Sequence, residues 1–239
     1  MTVEKHSALY RGNLRNLIRI LSYVSVFFFR VHIEEIVAGL ILLGLGCLVH
    51  YITKGELVRN VIMCNDGIYG IVRHPYYMAN YLIDISFCLL SGSPYLLLVY
   101  PFLFFWVYGS TLRKEERFLA EVHNEPYIQY MLDVPQVFPD SYFAKYLKGI
   151  FSGFSKKRIS RNEVSRIMRF WATALFILFL HTVKGINFSD MNYSILHKNY
   201  QSSLTLLLVA LLYIVSLLVR GKRKVTDNPV HIVRADSSP

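Results

Sequence analysis

Residues 36–52 read IVAGLILLGLGCLVHYI, seventeen positions without an Asp, Glu, Lys or Arg. The apolar residues of a water-soluble helix recur at helical spacing and alternate with polar ones, so an uninterrupted run of this kind signals a helix meant for lipid. Working outward, five further apolar stretches fall at about 17–29, 78–90, 95–112, 170–183 and 204–219. The expected fold class is all-α: a multi-pass transmembrane helical bundle of about six spans. The first stretch is short and contains Arg19, whose side chain is expected to snorkel toward the headgroups.

Composition agrees. Of 239 residues, 54% are hydrophobic and only 18% charged, where a soluble domain carries about a quarter charged residues. If both termini are cytosolic, the outer loops hold only Arg30, Lys184 and Lys198 of the 26 basic residues, the asymmetry of an inner-positive membrane protein. The expected location is therefore an integral, multi-pass position in a bacterial inner membrane or the endoplasmic reticulum. The net charge of +10 needs no nucleic acid, because Arg161, Arg166 and the basic groups at 156–158 and 220–224 lie beside spans, facing anionic lipid headgroups. Cys47, Cys64 and Cys88 are odd in number and lack paired spacing, so neither a disulfide framework nor a metal site is expected. The polar start is followed by no small-residue cleavage site, so the first apolar helix is expected to direct insertion itself. Asn187 and Asn192 match the glycosylation acceptor pattern within an expected outer loop.

Residues 1–140 read as one unit of four spans, and 141–239 as a basic linker, two further spans and a polar tail. Pro135, Pro139 and Asp140, then the polar stretch 149–162, mark the join. Two polar blocks interrupt the first unit: 67–77, containing Arg73-His74-Pro75-Tyr76-Tyr77, and 115–139, which begins Glu115-Glu116. The run after Leu112 lacks Gly and Pro, so the fourth helix is expected to continue into the cytosol with Tyr108, Thr111, Glu115 and Leu119 on one face.

Arg73-His74-Pro75-x-Tyr77, followed by Glu115-Glu116-x-x-Leu119, Tyr127-x-x-Tyr130 and Val134-Pro135-x-x-x-Pro139, resembles the isoprenylcysteine carboxyl methyltransferase family and its phospholipid methyltransferase relatives. The resemblance covers about residues 36–140. It implies an integral membrane enzyme that takes a methyl group from S-adenosylmethionine and passes it to a membrane lipid or lipidated substrate, with a cofactor pocket facing the cytosol. Carried onto this sequence, the cofactor-binding positions are Val61, Ile62, Met63, Cys64, Tyr69, His74, Pro75, Tyr76, Tyr77 and Glu115. In the prenylcysteine enzymes an arginine one turn before the first glutamate is linked to the substrate carboxylate. Thr111 stands there in this chain, which leaves Arg113 as the candidate substrate contact. The resemblance thus implies the methyl donor more directly than the acceptor, which reads as either a carboxylate or an amine.

Plainer roles stand beside these. His74 alone reads as a helix cap, and Tyr69, Tyr76 and Tyr77 as an interfacial aromatic belt. Glu116 is expected to be solvated or paired with Arg113 or Lys114. Asp84, deep in an apolar run, reads either as a protonated or Tyr/Ser-bonded group or as an acceptor-binding one. His50 and His181 read as structural. Gly44 and Gly46 suggest close helix packing, not a nucleotide loop. Two other functions fit parts of the pattern: a reductase of the sterol-reductase type using NADPH, and a non-catalytic membrane scaffold. Oligomeric state is left open.

Overall fold

The computed structural model describes residues 2–56, 64–141, 147–184 and 200–221. Val61, Ile62 and Met63, the acceptor patterns at Asn187 and Asn192, Lys198 and the basic residues 222–224 lie outside them. Among the described residues the fold is all-helical: α1 (Thr2–Ser25), α2 (Ile33–Glu56), α3 (Pro75–Leu90), α4 (Pro94–His123), α5 (Glu125–Asp133), α6 (Arg161–Val183) and α7 (Tyr200–Val219), with short 3-10 turns at Gly67–Gly70, Leu147–Gly149 and Lys156–Arg158.

Helices α2, α4 and α6 are long and apolar enough to cross a membrane. The other three expected spans differ for identifiable reasons. The sixteen residues of α3 rise about 24 Å, short of a hydrocarbon layer of about 30 Å. Most of them are buried by neighbouring helices. In α7 the described apolar part is Ser203–Val219. Helix α1 ends at Ser25, four residues before the expected limit, and carries Arg15 and Arg19.

Helix starts follow the punctuation of the sequence. Pro75 and Pro94 begin α3 and α4, where a missing N–H goes unnoticed. Ser93 and Ser160 cap α4 and α6 by accepting from the amides of Leu96 and Glu163. Asn124, at φ 51°, separates α4 from α5.

Close packing of α2 on α3 depends on Gly39 and Gly46, two turns apart on one face. A Cβ at Gly46 would sit 2.8 Å from the Ile83 side chain and 3.1 Å from the Ile83 amide nitrogen; one at Gly39 would sit 2.9 Å from Leu90. Gly44 meets nothing within 4 Å, so the packing pair is Gly39 and Gly46, not Gly44 and Gly46. Helix α6 joins the same core: Phe170, Ala174 and Ile177 pack with Leu43, Ile83 and Phe87. His181 reaches the Leu90 carbonyl at 3.0 Å, a structural role as expected.

The bundle interior also holds charge. Asp84, with no exposed surface, receives the Arg15 guanidinium through Nε at 3.1 and 3.2 Å and the Tyr100 hydroxyl at 3.1 Å. Arg15 donates again to Asn80 at 2.8 Å. Bonding of Asp84 to a tyrosine matches one expectation; its arginine partner, from α1, was not foreseen. Arg19 is half-buried, and its Nε lies inside the bundle without an acceptor.

Gly46→Ala is expected to lower stability by about 1–3 kcal/mol, because Ile83 must shift to admit the new methyl. Gly44→Ala, in open space, should leave stability unchanged or raise it, and thermal unfolding of the two variants in detergent checks the contrast.

Candidate functional site

The two polar blocks meet over the ends of α3 and α4. Residues 73–74 pair with 135–136 through consecutive main-chain bonds, Arg73 N–H to the Pro135 carbonyl and His74 N–H to the Gln136 carbonyl, each 2.9 Å. The Pro75 ring starts α3 at once, so His74 lies at the helix boundary, where its backbone is free to make that bond.

Glu116 sits between the blocks. One carboxylate oxygen accepts from Arg73 Nε at 3.0 Å, lies 2.9 Å from an Arg73 terminal nitrogen and meets His74 Nε2 at 3.2 Å; the other accepts from the Gln136 amide at 2.8 Å. Arg73 also donates to the carbonyls of Met131 and Val134, the latter at 2.9 Å. Glu116 is therefore neither solvated nor paired with Arg113 or Lys114, as its sequence neighbours suggested. Burial favours its neutral form, but the His74 hydrogen bond, the Arg73 charge and the Gln136 amide together hold the carboxyl below the usual range. It lies past Leu112, where the apolar part of α4 ends.

Glu115 points elsewhere. It accepts the Tyr77 hydroxyl at 2.7 Å, and its other oxygen lies 3.9 Å from His74 Nδ1. Its side chain is 43% exposed against 13% for Glu116, so of the two carboxylates Glu115 is the one a ligand can reach. The Tyr77 ring is fixed edge-on by Tyr108 at 5.4 Å and lies 5.7 Å from His74. Thr111, one turn before Glu115, is buried with its hydroxyl unpartnered. Arg113 is exposed, on a different side of α4.

The floor of this region is built by α5 and the turn before α3. Tyr130 donates to the Tyr69 carbonyl at 2.7 Å, fixing the 3-10 turn that presents Tyr69. Burial pushes the Tyr127 hydroxyl up to about 12, helped by the nearby Glu116 charge, and pushes Tyr130 up as well, so both are neutral donors. At the end of α2, Glu56 accepts the Ile68 amide at 3.0 Å while its other oxygen is buried without a partner. Gly67, at φ +61°, is required there: a Cβ would fall 2.5 Å from both Glu56 oxygens. Cys64 follows close by, its sulfur 4.0 Å from the Glu56 carbonyl.

Tyr76 faces a second polar cluster between α2 and α6. Lys54 lies 4.2 Å over its ring, His50 is 5.3 Å away ring to ring, and its hydroxyl accepts from Arg166 at 3.0 Å. Glu163 closes the cluster, 2.9 Å from His50 and 3.0 Å from Arg166. The sequence-derived residues thus divide. His74, Tyr77 and Glu115 come together beside Pro75, Tyr69 is held through its carbonyl by Tyr130, Cys64 lies by the end of α2, Tyr76 turns toward α6, and Arg113 stands apart. Glu116, Gln136, Tyr130 and Glu56 were missed as site builders; the Tyr127-x-x-Tyr130 and Val134-Pro135 pattern was the available signal.

Residues 46–121 match the isoprenylcysteine carboxyl methyltransferase (ICMT) family. The ICMT match runs from the C-terminal half of α2 through Glu121, so it contains Glu56, residues 73–77 and both glutamates, while α5 to α7 lie outside. It bears out the resemblance drawn from the motifs, and with it the methyltransferase class and the membrane setting that three apolar helices fit. No curated protein and no solved structure matched the chain.

Glu116→Gln is expected to lower stability by about 1–3 kcal/mol, because Arg73 and His74 lose their charged acceptor inside the fold. Limited proteolysis at 124–136 should accelerate in the same variant, and an unchanged digestion rate would show that the clamp does not hold the blocks together.

Proposed function

We propose that the protein transfers a methyl group from S-adenosylmethionine to a lipid or lipidated acceptor, a carboxylate or an amine, at the cytosolic face of a membrane that it crosses several times with both termini inside. The observation that carries this reading is the Tyr77–Glu115 pair beside His74, braced by the Arg73–Glu116 clamp and lying within the ICMT match.

The residue types fit the donor molecule. Its α-ammonium and ribose hydroxyls are hydrogen-bond donors, and Glu115 is a half-exposed acceptor whose position is fixed by a tyrosine hydroxyl. The unpartnered Thr111 hydroxyl is a further polar group on the same helical face. When bound, the donor supplies an electrophilic methyl carbon on a cationic sulfur, and the aromatic rings of Tyr69 and Tyr77 are the groups suited to face that cation. Tyr77 holds Glu115, and Glu116 fixes the His74 ring through Nε2. In this reading Val61, Ile62, Met63, Cys64 and Pro75 complete the binding segment by their place in the motif.

An acceptor carboxylate needs orientation and exclusion of water but no base, whereas an amine must lose a proton. Thr111 provides no cation, so Arg113 is assigned to the acceptor side only as a contact from the exposed flank of α4. The chemistry is assigned to residues 1–140, with 141–239 as a supporting unit.

Isothermal titration of the full chain in detergent should show S-adenosylhomocysteine binding and no NADPH binding. Glu115→Gln should weaken the first by about tenfold or more, and Tyr77→Phe by about three- to tenfold. Binding of NADPH instead, or unaltered S-adenosylhomocysteine affinity in Glu115→Gln, would defeat the assignment.

A further inference from the structure

Among the described residues, the seam between α1 and α6 carries more positive charge than its own carboxylates neutralise. Arg15, Arg19 and Tyr23 are spaced four apart on α1, so they share the stripe that faces α6. Arg15 stacks on Phe170 at 4.9 Å and Tyr23 meets Phe176 edge-on at 5.2 Å, which places Arg19 between two contacts with that helix. Arg19 feels the charges of Arg15, Asp84 and Arg169. Arg169 in turn feels Arg166 and Arg220, the residue just beyond α7.

The carboxylates near this group are already engaged. Asp84 is taken by Arg15 and Tyr100, and Glu163 by His50, Lys54 and Arg166. Among the described residues no ion pair reaches Arg19, and its Nε is buried without an acceptor. Arg169 has only the Ser165 hydroxyl, at 2.8 Å. One turn from Arg19, Ser22 has no exposed surface and an unpartnered hydroxyl. A guanidinium nitrogen buried without an acceptor is unfavourable, and the orphaned Ser22 hydroxyl one turn away adds to the deficit.

We propose that the α1–α6 seam binds the phosphate of an anionic phospholipid, seated on Arg19 and Arg169 with Ser22 as an additional donor. A guanidinium is suited to phosphate because its planar fork matches two oxygens at once. The phospholipid source, as opposed to free phosphate, follows from the surroundings. Arg169 lies one turn from Arg166 near the start of α6, toward the headgroup layer, and Ile20 and Val24, adjoining Arg19 and Tyr23 in sequence, are 57% and 48% exposed, an apolar flank for acyl chains. The inference rests on the membrane setting and is independent of methyl transfer.

The test uses the full chain, delipidated in detergent, with thermal unfolding and native mass spectrometry of retained lipid. Phosphatidylglycerol should raise the melting temperature and remain bound, while phosphatidylcholine and inorganic phosphate should do neither. Arg19→Gln should weaken phosphatidylglycerol retention by about tenfold or more, and Arg117→Gln, which removes an exposed charge from α4, should not. If Arg19→Gln does not fold, Arg169→Gln on the half-buried side of the seam is read in its place. Equal protection by the two phospholipids, a full effect of inorganic phosphate alone, or unchanged retention in the variant read would each overturn the proposal.

Discussion

The Glu116 carboxylate, shared among Arg73, His74 and Gln136, is the interaction on which the candidate site depends. A carboxylate this buried is tolerated only when opposed by charge and by directional donors, and all three donors come from segments far from α4 in sequence. Satisfying Glu116 therefore brings the 67–77 and 115–139 blocks together as a consequence of electrostatics. It also decides the fate of the neighbouring residue. Adjacent positions on a helix point about 100° apart, so with Glu116 turned into the clamp, Glu115 must turn out of it, where Tyr77 steadies it. A pair of like residues is thereby divided into one that builds and one that can bind.

The same logic recurs in the bundle. Arg15–Asp84 ties α1 to α3 and, through Tyr100, to α4; His50–Glu163 ties α2 to α6. Where lipid surrounds a bundle, apolar contact alone gives little reason for one helix to prefer another, and buried polar pairs with small-residue contacts supply the preference. The Gly39/Gly46 face and these two polar pairs thus fix neighbours that hydropathy cannot fix. Glu163 shows the principle economically: its amide takes the Ser160 cap in the manner of a capping box, while its carboxylate leaves that motif to reach His50.

Much of this was legible in the chain because it is local. Apolar runs, Pro75 and Pro94 at helix starts, the continuation of α4 beyond Leu112 and the ordered motif from Arg73 to Pro139 need only neighbouring residues to be read. What was hidden is long-range pairing. Nothing near Arg15 announces Asp84, 69 residues away, and nothing near Glu116 announces Gln136 in place of Lys114. Three of the six expected spans are long and apolar enough to cross a membrane, and α3 shows what hydropathy alone does not separate: burial in protein and burial in lipid write the same apolar sequence. Gly44 and Gly46 are close in sequence, but a separation of seven, two helical turns, is what puts Gly39 and Gly46 on one face.

In the proposed reading the donor and acceptor sides of the site have different structural origins. The donor side is assembled from segments joined by short, specific bonds, and most of it lies within the ICMT match. The acceptor side has no such frame on α4. Residues two apart on a helix do not share a face, so Arg113 cannot stand in for a cation at Thr111 without changing which side of the helix meets the acceptor. Thr111 is buried and Arg113 exposed, as that spacing requires. Besides Lys54 and Arg73, both within the matched residues, cations enter the bundle from α1 and α6, which lie outside them. Helices α1 and α6 thus carry charge into the bundle that the motif from Arg73 to Glu116 does not supply.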